Sequence, residues 1–111
     1  YNAGYSAGVS NLTCVTANGT SGGAQTVDAS VTTPSGKTHC HICAAITNPR
    51  IANTYVQKGG STVAWTKTET SRANIFYAHI TGLSSGTVIK VHSQRQNTSI
   101  ATLIGVVALF G

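Results

Sequence analysis

Carboxylates are almost missing from this chain: Asp28 and Glu69 are the only two in 111 residues, against Lys37, Arg50, Lys58, Lys67, Arg72, Lys90 and Arg95. Two acids on separate segments do not supply the carboxylate pair that glycoside hydrolysis needs. Phosphate-loop and H-E-x-x-H patterns are missing as well, and the G-x-S-x-G spellings at Gly4–Gly8, Gly19–Gly23 and Gly82–Gly86 lack the following helix that a nucleophile elbow needs, so the chain is not expected to be an enzyme and no cofactor is expected. Charged residues make up only 8% of the sequence, and the net charge of +5 reflects the shortage of acids. The bases stand singly rather than in clusters, which argues against specific nucleic-acid binding. Methionine is absent; with a start at Tyr1, the expectation is a mature product cut from a precursor, or a fragment of one, and a removed signal peptide fits that expectation. The longest apolar stretch, Ile100 to Phe110, is interrupted by Thr102 and Gly105. It falls short of the roughly 18 residues that span a bilayer, so no membrane span is expected.

What is present favours strands. About a quarter of the chain is Ser or Thr, and Val, Ile and Ala supply most of the apolar content, a mixture suited to pleated, half-buried surfaces. Tyr1, Ala3, Tyr5, Ala7 and Val9 alternate with Asn2, Gly4, Ser6 and Gly8, the period of a strand with one apolar face. Further strands are expected over 12–17, 25–32, 37–47, 51–57, 62–68, 74–81, 87–93 and 99–110. Turns are expected at Asn18 to Gly23, Thr33-Pro34-Ser35-Gly36, Asn48-Pro49 and Lys58-Gly59-Gly60-Ser61, with a hairpin closed by Gly82 to Gly86. No helical periodicity exceeds two turns. The expectation is an all-β protein: one β-sandwich over 11–111, of jelly-roll or immunoglobulin-like type, preceded by an extended N-terminal strand over 1–10. The last segment is apolar on both faces, with Leu103, Val107 and Leu109 on one and Ile104, Val106, Ala108 and Phe110 on the other. One face would fill the core and the other meet a neighbouring chain.

Three cysteines in an oxidising compartment imply one bridge and one leftover thiol. A Cys14–Cys40 disulfide is favoured, with Cys43 as the alternative partner of Cys14. On a strand, Cys40 shares a face with Ile42, Ala44 and Ile46, whereas Cys43 points away with His39 and His41. That separation argues against reading Cys40-His41-Ile42-Cys43 as a zinc or redox C-x-x-C motif, which needs both sulfurs on one side. His39, His41 and Cys43 share a face and are the better metal candidates, but the polar face of a Thr-rich strand is the favoured explanation and no metal is expected. His79 and His92 have no comparable companions in the sequence. Glycosylation patterns fall at Asn11, Asn18 and Asn97, the last two in expected loops, so glycans are expected partners.

The alternating stretch Tyr1 to Val9 followed by a compact β domain resembles subunits of donor-strand-exchange filaments, such as chaperone-usher pilins and archaeal or bacterial surface threads with jelly-roll heads. The resemblance implies that Tyr1, Ala3, Tyr5, Ala7 and Val9 are donor residues, that identical subunits are the partners and that the product is an extracellular or cell-surface homopolymer. The Gly-Leu-Ser-Ser-Gly segment and the long apolar last strand are also similar to the end of phage tail-fibre or complement-like jelly-roll domains. That similarity implies a viral capsid, spike or tail-fibre protein. A secreted metal-binding β module is the third reading.

Overall fold

A computed structural model describes residues 11–69 and 73–111. The expected donor residues Tyr1, Ala3, Tyr5, Ala7 and Val9 lie outside them. The described chain is all-β and forms two antiparallel sheets with a shared core. Its strands are β1 (Thr13–Thr20), β2 (Thr26–Thr32), β3 (Cys40–Thr47), β4 (Tyr55–Lys58), β5 (Ser61–Val63), β6 (Thr66–Glu69), β7 (Ala73–Ile80), β8 (Val88–Gln94) and β9 (Leu103–Phe110). The five-stranded sheet has the order β1-β9-β3-β7-β6 and the four-stranded sheet β2-β8-β4-β5. Leaving β6 aside, the pairings nest: β1 with β9, β2 with β8, β3 with β7, and β4 with β5.

Alternation in the sequence becomes alternation of burial. Val27, Ala29 and Val31 of β2, Cys40, Ile42, Ala44 and Ile46 of β3, and Ile104, Val106, Ala108 and Phe110 of β9 all point into the core. Phe76, Ile80, Val56, Ile89 and Val91 complete it. Burying side chains of this size contributes roughly 1.5–3 kcal/mol each before entropy is set against it. The ends of three segments are tied at one buried residue. Thr102 is fully buried, its Oγ1 donates to the Asn48 carbonyl at 2.9 Å, and its backbone N–H donates to Ser21 Oγ at 2.9 Å.

Six expected boundaries are corrected, two of them strand starts: β3 begins at Cys40 rather than Lys37, leaving His39 outside it, and β9 begins at Leu103 rather than Ser99. β1 runs through Asn18 and Gly19 to Thr20 instead of turning at Asn18, because its pairing with β9 continues to Leu103. Ile51–Asn53 is a turn of 3-10 helix and only Tyr55–Lys58 is strand. The segment 62–68 is not one strand: β5 belongs to the four-stranded sheet and β6 to the other, so the chain crosses between sheets at Ala64 and Trp65. Gly82 to Gly86 does not close a hairpin either, since β7 and β8 lie in different sheets. The turn between β4 and β5 does form a hairpin, with Gly59 and Gly60 at φ 55° and 90°, a conformation that suits glycine.

Candidate functional site

The two sheets present different surfaces outward. On the four-stranded sheet, Thr26, Asp28, Ser30 and Thr32 are exposed beside Lys90 and His92 of β8. His92 Nδ1 donates to Asp28 Oδ1 at 2.6 Å, and Tyr55 stacks on the His92 ring at 4.8 Å. Apart from Val88, this face is dressed for water.

The outward face of the five-stranded sheet is apolar. Tyr77 (51% exposed), Val107 (50%) and Leu103 (49%) are joined on it by Ile75 and Leu109. Register turns these residues into rows. Cys14, Leu109, His41 and His79 lie abreast across β1, β9, β3 and β7; the next row is Thr16, Val107, Cys43 and Tyr77; the third is Asn18, Gly105, Ala45 and Ile75. Among the described exposed side chains of these rows none is a Lys, Arg, Asp or Glu.

Histidine and aromatic rings gather at one side of this face. His41 and His79 are direct cross-strand partners and their rings stack with centroids 4.2 Å apart and 5° between planes. His39 meets His79 edge-on at 5.7 Å. A groove of about 620 Å³ runs beside them, lined by His41, Cys43, Trp65, Thr66, Tyr77 and Val107 among others. Trp65 is held in place by Phe76, 4.5 Å away between ring centroids. Such a groove offers flat apolar and aromatic contacts with few hydrogen-bonding groups.

Of the residues singled out as metal candidates, His41 and Cys43 share the outer face and His39 lies at its margin, but the third imidazole drawn in is His79. Among the described residues no group of three or more His, Cys, Asp or Glu side chains is placed to hold a metal ion. The alternation of residues 37–47 identified the face of His41; the partner of His41 depends on a strand register that the sequence does not display.

The expected Cys14–Cys40 bridge does not form. Cys40 points into the core, Cys14 points outward, and β9 lies between their strands. Cys43 does share the outer face with Cys14, yet β9 separates them too, and all three cysteines are free. Burial pushes the Cys40 thiol up from 9.0 to about 11, partly opposed by its hydrogen bond with the Ile80 backbone. Of the glycosylation candidates, Asn11 and Asn97 are exposed outside the strands, whereas Asn18 sits on β1 itself rather than in a loop. Asn97 Oδ1 accepts hydrogen bonds from the Ser99 and Ile100 N–H groups, both at 3.0 Å.

No family model, curated protein or solved structure matches the chain. No helix among the described residues is long and apolar enough to cross a membrane.

Proposed function

We propose that the chain is a structural subunit of an extracellular, glycosylated filament, polymerising as its N-terminal strand is donated to a neighbouring subunit. The observation that carries this reading is the difference between the two outward faces. A chain with one wet face and one uncovered apolar face is suited to assembly, because contiguous exposed apolar surface marks a site that another protein covers. Nothing in the groove beside Tyr77 supplies paired acids and bases for catalysis, whereas repetition of one subunit needs only complementary surfaces.

Two further features support strand donation. Residues 1–9 carry an apolar row of Tyr, Ala and Val at strand spacing, and a donated strand needs an open sheet edge. β1, β2, β5 and β6 are edge strands. At the border where β1 packs against β2, the inward-facing Val15 and Ala17 are only partly buried, so an added strand beside β2 would complete their cover. The sandwich is read as a jelly roll, since the nested pairings are those of a long hairpin rolled into two sheets. Viral shells and spikes use the same architecture, and they are distinguished by closed rather than helical symmetry.

Electron microscopy of the full chain and of a variant lacking residues 1–10 tests the proposal. Filaments from the full chain and folded, unpolymerised subunits from the shortened one are expected. Closed particles, or filaments that survive the truncation, would overturn strand donation.

A further inference from the structure

The outward face of the five-stranded sheet needs an occupant, and its composition restricts the choice. We infer that it packs against the same face of a second copy about a twofold axis, making a lateral contact separate from strand donation. This inference rests on the reading that the chain assembles with copies of itself, and it is independent of how the N-terminal strand is used.

The first argument is elimination within a homopolymer. Sheets stack face to face when both surfaces are apolar, and the other outward face of this chain carries Asp28, Lys90 and His92. Packing Tyr77 and Val107 against that face would strand charges in a dry interface. Against its own copy, the face meets Val107, Leu109, Ile75 and Tyr77 with no Lys, Arg, Asp or Glu among the described residues of its rows, and a self-complementary contact closes as a twofold.

The second argument is Gly105. It lies in the interior of β9 with unbroken register to Asn18 on one side and Ala45 on the other, so no bulge explains it. Its φ is not positive, and a Cβ added there would meet nothing within 4 Å. The fold itself therefore does not require glycine at this position. A glycine inside a strand then marks the close approach of another chain. With Ala45 beside it, Gly105 forms a shallow recess bordered by Val107 and Ile75, suited to a bulky side chain from the facing copy.

The third argument is area. Four strands of eight residues and β6 of four, at about 4.8 Å spacing and about 3.3 Å per residue, give a face of about 570 Å². Two such faces bury about 1,100 Å² together, which clears the roughly 1,000 Å² expected of a biological interface.

β3 is the middle strand of five and Cys43 is its exposed mid-strand residue, so a twofold near the centre of the face brings two Cys43 thiols together. The test uses the full chain carrying Cys14→Ser. Cys43 is then the one exposed thiol, Cys40 being fully buried. Treatment with a short bismaleimide is expected to yield covalent dimers joined through Cys43. Adding Val107→Lys or Gly105→Phe is expected to lower that yield at least tenfold without shifting the thermal midpoint by more than a few degrees. Singly modified monomer from the parent, or equal dimer yield from the face variants, would overturn the inference. Cys43-linked dimers without filaments on a microscope grid would uphold the face contact and refute strand donation. Filaments from a chain whose Cys43 never crosslinks would do the reverse.

Discussion

Raising the pH should destabilise this protein through Cys40. The thiol is wholly buried, with Ile80 and Phe110 opposite it on the neighbouring strands, and burial holds its pKa at about 11 against 9.0 for an unburied thiol. The unfolded chain therefore releases this proton first. Below about pH 9 both states keep it and the stability is unaffected; between about pH 9 and about pH 11 the unfolded state binds fewer protons, so stability falls as pH rises. At 1.36 kcal/mol per pKa unit the total loss is about 3 kcal/mol, a large part of the 5–15 kcal/mol typical of a domain. Urea denaturation of the parent and of Cys40→Ala from about pH 8 to about pH 11.5 isolates the effect, since Lys and Tyr ionisation is common to both chains. The parent starts more stable, because Ala leaves a small void, and its advantage shrinks by about 3 kcal/mol across the range. Parallel stability curves for the two proteins would show that Cys40 ionises equally easily in the folded and unfolded states, and would refute the argument.

Two substitutions probe the frame that positions the apolar face. Thr102→Val removes the hydroxyl that donates to the Asn48 carbonyl, keeps the side-chain shape, and should cost about 1–3 kcal/mol in thermal or urea unfolding; an unchanged midpoint would mean that water replaces the hydroxyl. Gly19→Ala places a Cβ 2.7 Å from the Asp28 carbonyl oxygen, where β1 meets β2, and should destabilise by about 1–3 kcal/mol. A neutral Gly19→Ala would show that the two strands can part without loss.

Strand alternation was readable because side chains change face at every residue. Cys40, Ile42, Ala44 and Ile46 turned inward as the pattern required, as did Ile104, Val106, Ala108 and Phe110, and the outward set Leu103, Val107 and Leu109 was visible for the same reason. Which sheet a strand joins was not readable. Glycine-bearing connections such as Gly82 to Gly86 look alike whether they close a hairpin or carry the chain across the core, and Trp65 looks like a mid-strand residue although the chain changes sheets there. Register was hidden too, and with it the meeting of His41 with His79 and the separation of Cys14 from Cys43 by β9. These are long-range facts, set by how sheets stack rather than by local spacing.

The nested pairing of strands also sets an order of events during synthesis. Of the described strands β1 emerges first, yet its partner in the five-stranded sheet is β9, and β9 also fills the gap between β1 and β3. Until Leu103–Phe110 has been made, β1 and one side of β3 are bare edges, and the sequence separation that must be closed is almost the full described chain. A nascent chain stalled before β9 would expose unpaired strands from the start of the domain, open to mispairing with its neighbours. The five-stranded sheet thus closes only when β9 arrives, so its folding waits on that strand rather than proceeding segment by segment.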